Sequence, residues 1–222
     1  MTLVEYAYLL APIDGDEPTD LRRTSTSGDD SSRAPSLSEY DAGLITRVRT
    51  GDHGALEAVH AAHWDGLVRY AERMTHSSET ARDIVQDVFL DLWMHRADWL
   101  VRGSIASYLY AAVRGRALRV LRHDRVTERH ASDVMNTSFV SGGAFGHQSP
   151  ADDVETIHLL AIVDAVLREL PPRCQEAFIL YRSHGLELSD VARIMGTSVG
   201  TVKVQLKRAV AALRTALAPH LD

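Results

Sequence analysis

The sequence predicts an all-α fold in which two small helical domains are joined by a flexible linker and preceded by a disordered acidic tail. Apolar residues recur with a helical period in several stretches, and no stretch has the alternation of a convincing strand. The middle of the chain is rich in Gly and Ser, and its beginning is rich in Asp, Ser and Thr. The expected boundaries are 1–37 for the tail, 38–126 for the first domain, 127–153 for the linker and 154–218 for the second domain.

The net charge of −6 is unevenly distributed along the 222 residues. Residues 1–41 contain nine acidic and three basic side chains, whereas residues 42–222 are balanced. Within that balanced part, six arginines lie between positions 111 and 129, and positions 196–221 contain four basic side chains and no acidic one. Two basic patches are typical of phosphate-binding surfaces, although solvated helix faces have the same composition.

Four helices are expected in the first domain. Ser36 and Glu39 fit a capping box ahead of an apolar-periodic stretch, so ordered structure should begin at Ser36. The second helix carries one stripe with a 3.6-residue period, formed by Leu56, Val59, His60, His63, Leu67, Tyr70, Ala71 and Met74. A third helix should run from about Ser78 to Trp93, and a fourth from about Ser104 to His123.

The second domain should also contain four helices. Residues 154–170 form the first, which ends at Pro171-Pro172 because a proline pair cannot continue a helix. Residues 173–184 form the next, with Gly185 as its C-cap. The last two are expected at Ser189–Met195 and at about Ser198–Leu217.

These last two helices have the pattern of a helix-turn-helix. Ser189 and Ser198 are placed to cap the two helices, Ala192 is small where they cross, and Gly196 allows the left-handed turn. On the second helix an apolar arc should face the core, comprising Val199, Val202, Leu206, Ala209, Val210 and Leu213. The opposite side offers phosphate donors, an amide for base edges and a methyl-bearing side chain for thymine. An ordinary helical hairpin with a polar face is the alternative interpretation.

Residues 168–214 closely resemble region 4 of the sigma-70 family, in particular its extracytoplasmic-function (ECF) group. The matching motifs are Leu170-Pro171-Pro172-Arg173, Gly185-Leu186, Val191-Ala192 and Gly200-Thr201-Val202-Lys203. The resemblance implies docking on the β flap of RNA polymerase and recognition of the promoter's minus-thirty-five element. The residues implied in that recognition are Ser198, Gly200, Thr201, Lys203, Val204, Gln205, Lys207 and Arg208. The family often has Ser-Arg where this chain has Val204-Gln205, which bears on the preferred bases.

Residues 83–93 resemble region 2 of the same family, whose corresponding helix binds the clamp helices of the polymerase β′ subunit. One arc of this helix is apolar and should face inward: Ile84, Val85, Val88, Phe89 and Leu92. The core-polymerase-binding residues are expected on the other stripe: Asp83, Gln86, Asp87, Leu90 and Met94. Acidic side chains among exposed apolar ones suit a basic partner surface with a hydrophobic centre. Alternatively, Leu90 and Met94 pack on a neighbouring helix.

Residues 99–118 resemble the family's reader of the minus-ten element. The resemblance implies that a loop at about 100–104 holds an extruded base of the opened non-template strand. Aromatic side chains interleaved with cations suit a single strand, and the expected contacts are Trp99, Arg102, Ser104, Tyr108, Arg114, Arg116, Arg119 and Arg122. Tyr110 is expected in the core. Ile105 and Gly115 replace a usual aromatic residue and a common Asn, so the preferred minus-ten sequence does not follow from the resemblance.

The sequence shows no sign of catalysis, metal binding or membrane insertion. His60 and His63 share a helix face, but no further ligand lies nearby, so packing is the better interpretation. Cys174 is the only cysteine, which excludes an internal disulfide and favours the cytoplasm. No Walker loop, nucleophile elbow or metalloprotease motif occurs, so neither an enzyme nor a cofactor site is predicted. No run of 18 apolar residues is present.

The partners implied by the resemblance are core RNA polymerase, promoter DNA and an anti-sigma factor, and no stable homo-oligomer is expected. The alternative is a helix-turn-helix repressor or activator that does not join polymerase and binds duplex operator DNA by itself. A nucleic-acid-modifying enzyme would need a catalytic cluster that the sequence lacks. A further hypothesis is that the acidic tail, residues 1–37, competes with DNA for the arginine patches.

Overall fold

The computed structural model describes residues 38–128 and 154–220, and every regular element in these two ranges is helical. The first range contains α1 (Glu39–Arg49), α2 (His53–Thr75), α3 (Ser78–Met94), a 3₁₀ turn (Arg96–Asp98) and α4 (Ile105–Glu128). The second contains α5 (Val154–Glu169), α6 (Pro172–Phe178), a π-helical turn (Ile179–Ser183), α7 (Leu188–Met195), α8 (Val199–Leu217) and a 3₁₀ turn (Ala218–His220). The predicted all-α class is confirmed, whereas residues 1–37 and 129–153 lie outside the described ranges.

Side-chain caps explain where the helices of the first unit, α1 to α4, begin. The Ser38 hydroxyl accepts a hydrogen bond from the Asp41 amide at 3.0 Å, so α1 starts at Glu39. The predicted capping box of Ser36 and Glu39 is therefore wrong, because Glu39 is the first residue of the helix, and Ser36 itself lies outside the described residues. Ser38 is the better cap because it puts acidic residues in the first turn, where the helix dipole favours them. Asp52 and Ser77 cap α2 and α3 in the same way.

The core of the first unit forms where α2 packs against α3 and α4. All five predicted inward residues of α3 are buried, namely Ile84, Val85, Val88, Phe89 and Leu92. The predicted stripe of α2 is buried at Val59 and from Leu67 to Met74, but His60 is exposed and His63 is only partly covered. Most of the stripe is thus buried in the core, but it reaches the surface at His60 and His63.

In the second unit, α8 packs against α5, α6 and α7. The predicted turn glycines are confirmed, because Gly185 and Gly196 both have φ of +63°. Ser198 caps α8 by accepting a hydrogen bond from the Thr201 amide at 3.1 Å. The predicted cap at Ser189 was wrong: α7 begins at Leu188, Glu187 occupies the N-cap position, and no side chain caps this end. The predicted helix 173–184 is divided into α6 and the π-helical turn.

The two units contact each other directly, which the sequence did not predict. Helix α4 of the first unit packs against α7 of the second, and buried side chains from both form one continuous hydrophobic core. The contact brings the helix that resembles the minus-ten reader against the first helix of the helix-turn-helix. None of the helices in the described ranges is long and apolar enough to cross a membrane.

Candidate nucleic-acid and polymerase interfaces

Helix α8 presents a polar face to the surface. Gly200, Thr201, Lys207 and Arg208 are exposed, and Val204 is 52% exposed. Lys203 and Gln205 are half-buried at the edge of this face. The opposite arc is buried as predicted, comprising Val202, Leu206, Ala209, Val210 and Leu213, whereas the predicted inward Val199 is 38% exposed because it lies in the first turn. An α-helix fits into the major groove of DNA, and one with this face can contact phosphates and base edges there.

The helix-turn-helix is held in place by α6. Arg173 donates a hydrogen bond from Nη1 to the backbone carbonyl of Met195 at 3.3 Å. Met195 is the last residue of α7, so this bond satisfies a carbonyl that the helix itself leaves open. Gly196 follows it and turns the chain into α8. The Leu170-Pro171-Pro172-Arg173 motif therefore positions the turn that precedes α8.

The outward face of α3 carries acidic and apolar side chains together. Asp83, Gln86 and Asp87 are exposed, and Leu90 and Met94 are 50% and 62% exposed. The alternative in which Leu90 and Met94 pack on a neighbouring helix is therefore wrong. Exposed large apolar side chains within an acidic surface are typical of a protein-binding site.

A groove lined by aromatic rings lies beside this face, between α2 and α3, and was not predicted from the sequence. The rings of His60 and Trp64 stack at 4.7 Å between centroids, and the His60 ring lies 4.9 Å from that of Phe89. The His53 and Trp93 rings are 4.3 Å apart. Spacings of four residues, 60 with 64 and 89 with 93, were the available signal. His60 therefore packs, as expected, but on a surface cluster.

The N-terminus of α4 is built around Ser104. The Ser104 hydroxyl accepts a hydrogen bond from the Ser107 amide at 3.0 Å, and the Asp41 carboxylate accepts one from the Ile105 amide at 3.0 Å. These acceptors satisfy open amides of the first turn. The preceding loop contains Gly103 with φ of +91° and the exposed Arg102. Asp41 of α1 and Ser104 thus fix the point at which this loop enters α4.

The predicted strand-binding residues fall into three classes of environment. Arg102, Arg119 and Arg122 are exposed. Trp99 is only 4% exposed, and its ring packs edge-on against that of Tyr108 at 5.7 Å, so its face is not open to a base. Tyr108 is half-buried against Trp99 and belongs with it. The remaining three residues, Ser104, Arg114 and Arg116, are engaged in internal polar contacts. Arg116 pairs with Asp91 on α3.

Tyr110 is buried, as expected from the sequence. It packs edge-on against Tyr70 with ring centroids 5.3 Å apart, and burial raises its pKa above the ordinary range. Its ring also lies 4.9 Å from that of His184, which belongs to the second unit. Burial, together with the positive charges of Arg73 and Arg69, lowers the pKa of His184 to about 3. His184 is therefore neutral at neutral pH and packs as an aromatic ring between the two units.

Two carboxylates of the second unit, which the sequence analysis did not single out, contact the first. Glu176 accepts hydrogen bonds from Arg114 Nε at 2.6 Å and from the Tyr70 hydroxyl at 2.9 Å. Asp190 accepts one from the Ser104 hydroxyl at 2.7 Å. Both carboxylates are nearly inaccessible to solvent. Within the described residues, no cluster of three or more His, Cys, Asp or Glu side chains is arranged to hold a metal ion.

Comparison with known families finds two matches that coincide with the two units. The family described as Sigma-70 region 2 matches residues 60–127, which include α3 and the loop before α4. The family described as Sigma-70, region 4 matches residues 160–213, which include the helix-turn-helix.

Relatives match over most of their own length. The ECF RNA polymerase sigma factor SigL of Mycobacterium tuberculosis (strain ATCC 35801 / TMC 107 / Erdman) is 31% identical over 179 residues, which cover 78% of this chain and 94% of that protein. The RNA polymerase sigma-H factor of Pseudomonas aeruginosa is 25% identical over 190 residues, covering 82% and 96%.

Solved structures share the helical architecture. The sigma factor RpoE in complex with the anti-sigma factor NepR, from Bartonella quintana, superposes with a TM-score of 0.57 at 20% identity, covering 73% of this chain and 96% of that one. CnrH in complex with the cytosolic domain of CnrY gives 0.55 at 20% identity, covering 82% and 99%. With both regions present in order and an ECF sigma factor similar over nearly its full length, this chain belongs to the ECF group of the sigma-70 family.

Proposed function

We propose that this chain directs RNA polymerase to its promoters and thereby starts transcription at a specific set of genes. The observation that supports this most strongly is the occurrence, in one chain, of a region 2 unit with an acidic and apolar outward face and a region 4 unit with an exposed reading helix. Sigma factors act by binding, so the chain itself catalyses no reaction. The chain acts in the cytoplasm, bound to RNA polymerase.

The polymerase contact is assigned to the outward face of α3. Leu90 and Met94 provide apolar area without any need to unfold, since both are already exposed. Asp83 and Asp87 flank them and would pair with basic residues of the β′ clamp helices. The aromatic groove adjoins this face through Gln86, so bound polymerase would also cover part of the groove.

The two promoter contacts are assigned to α8 and α4. The exposed face of α8, from Ser198 to Arg208, lies in the major groove of the minus-thirty-five element, where Lys207 and Arg208 neutralise phosphates. The loop at 100–104 and the arginines of α4 hold the opened strand of the minus-ten element. Arg102, Arg119 and Arg122 are accessible for this contact, whereas Ser104 and Arg114 must first leave their internal partners.

An anti-sigma factor is the expected regulator. The solved RpoE and CnrH structures were determined with the anti-sigma factor NepR and with the cytosolic domain of CnrY. We assign a protein of the same class to this chain, because the exposed apolar patch on α3 is a site that such an inhibitor can cover.

The test is in vitro transcription with purified bacterial core polymerase on a library of randomised promoters. The expected result is initiation from templates that share two sequence elements, and no initiation from the core enzyme alone. Sequencing the transcript starts would give the preferred bases, including those affected by Val204 and Gln205.

The competing function, a repressor or activator that never joins polymerase, gives the opposite pattern. It predicts tight binding of duplex DNA by the protein alone and no effect on core polymerase. A purified chain that neither associates with core nor directs initiation on any template would contradict the proposed function.

A further inference from the structure

Where the two units meet, carboxylates of the second unit bind residues of the first unit that are proposed to contact the opened DNA strand. Glu176 on α6 is 2% exposed and Asp190 on α7 is 4% exposed. The Glu176 carboxylate accepts hydrogen bonds from the Arg114 guanidinium, at 2.6 and 3.5 Å, and from the Tyr70 hydroxyl. The Asp190 carboxylate accepts a hydrogen bond from the Ser104 hydroxyl at 2.7 Å. Arg114 and Ser104, two of the residues proposed to bind the strand, are thus already hydrogen-bonded to carboxylate oxygens.

The same contact covers the loop before α4. A Cβ atom built on Gly103 would lie 2.1 Å from Arg193 Nη1 and 2.9 Å from Asp190 Oδ1, so α7 rests directly on this glycine. Arg193 also donates a hydrogen bond to the Ser107 hydroxyl at 3.1 Å. A base cannot occupy the space above Gly103 while Arg193 and Asp190 fill it.

Carboxylate oxygens and phosphate oxygens accept the same kind of hydrogen bond from Arg and Ser donors. One set of donors cannot serve both acceptors at once. Building on the function proposed above, we propose that Glu176 and Asp190 substitute for DNA phosphates and hold the free factor in a closed, self-inhibited form. Single-stranded DNA then engages α4 only after α7 has moved away.

The closed form leaves the other two surfaces open. Leu90 and Met94 on α3 remain exposed, and so do Lys207 and Arg208 on α8. Polymerase can therefore dock on the closed factor, while the opened strand cannot bind it. Because polymerase binds first and the strand second, the factor would not bind single-stranded DNA before it has joined polymerase.

The test removes the two charges without changing side-chain shape, in the double variant Glu176→Gln/Asp190→Asn. Closure is followed by energy transfer between dyes on Ala61→Cys and Ala211→Cys, which are exposed positions in the two units, whereas the native Cys174 thiol is buried. Strand binding is followed by fluorescence anisotropy with a short single-stranded DNA of random sequence, in the absence of polymerase. We expect lower transfer efficiency and about tenfold tighter DNA binding than in the wild type.

The matched control is Glu169→Gln/Glu187→Gln, which removes the same charge at two exposed positions of the second unit. It should keep the wild-type transfer efficiency and change DNA affinity by less than about twofold. If the first double variant is too unstable to study, Arg193→Ala loosens the same contact from the exposed side of α7.

Unchanged transfer efficiency in both interface variants would overturn the proposal. So would an opened protein that binds single-stranded DNA no better than the wild type, because the contact would then be structural only. The proposed function is tested separately by initiation with core polymerase. A variant that initiates normally but neither opens nor gains strand affinity contradicts only the self-inhibition.

Discussion

Gly103 has a backbone conformation that the loop before α4 requires. Its φ of +91° lies outside the range that residues with a Cβ adopt easily, and α7 leaves no room for a side chain. Gly115 is the opposite case. It lies within α4, and a Cβ atom there would meet nothing within 4 Å. The two glycines therefore predict opposite effects of the same substitution.

We expect Gly103→Ala to lower the free energy of unfolding by about 1–3 kcal/mol, because of backbone strain and the displacement of Arg193. Gly115→Ala should raise it by up to about 1 kcal/mol, since alanine is the better helix former. Urea unfolding followed by circular dichroism measures both. A Gly103→Ala protein as stable as the wild type would show that the loop can adopt another conformation.

His184 links the stability of the closed structure to pH. Its ring lies between Tyr70 and Tyr110, next to Gly66, and the guanidinium groups of Arg73 and Arg69 oppose its protonation. Burial is the largest cause that lowers its pKa, from an ordinary value of 6.5 to about 3. The folded form therefore binds this proton less well than the unfolded form. Stability is full above the unfolded pKa and is lost progressively as the pH falls from 6.5 towards 3.

Comparing unfolding at pH 7 and pH 5 tests this assignment. The wild type should lose about 1–2 kcal/mol more than His184→Gln, whose amide does not titrate in this range. His63 and the carboxyl groups titrate in both proteins, so their contribution cancels in the difference. Equal losses in the two proteins would mean that the pKa of His184 is the same in the folded and the unfolded protein.

At the scale of elements, the N-caps show how sequence spacing translates into helix starts. Ser198 and Ser189 occupy similar positions in the sequence pattern of the helix-turn-helix. Only Ser198 accepts a hydrogen bond from an amide of its own helix, that of Thr201. Ser189 lies inside α7, because the chain enters the helix through Glu187 in an extended conformation. The residue type is compatible with a cap at both positions, and the path of the preceding turn decides between them.

Replacing each serine by alanine separates the two cases. Ser198→Ala should destabilise the protein by about 1 kcal/mol through the loss of the α8 cap. Ser189→Ala should be neutral or slightly stabilising, since alanine is favoured inside a helix. Thermal unfolding of the two variants measures the difference. A larger loss for Ser189→Ala would contradict the observed start of α7.

At the scale of the whole molecule, the surfaces proposed to bind polymerase and duplex DNA lie on the outside of one shared core. The α3 face and the α8 face belong to different units, and α4 packed against α7 lies between the units. Side chains that are exposed can be changed without loss of stability, so their effect on polymerase binding can be measured directly.

We expect Leu90→Lys/Met94→Lys to weaken binding to core polymerase by at least about tenfold, because charge replaces the apolar centre of the contact. The melting temperature should stay within a few degrees of the wild type, since both side chains are exposed. Ala211→Lys, at an exposed position on α8, is the control and should bind normally. Wild-type core binding by the double variant would exclude the outward face of α3 as the docking site.

Local patterns predicted most of the helices and the two outward faces. The inward arc of α3, the buried arc of α8 and the turn at Gly196 all follow from period and residue type. The aromatic groove could have been found from rings spaced four residues apart on α2 and α3. The environment of Trp99 could not, because its burial depends on how the loop after α3 folds back on Tyr108.

The sequence by itself determined that the protein is helical and which faces of α3 and α8 are exposed, because these features depend on contacts within about one helical turn. Only the tertiary structure decided that Glu176 meets Arg114 and that Asp190 meets Ser104. Those partners are 62 and 86 residues apart in the chain, and no periodicity relates them. Which donors are open to DNA is therefore a property of how α4 and α7 pack, beyond the reach of composition or spacing.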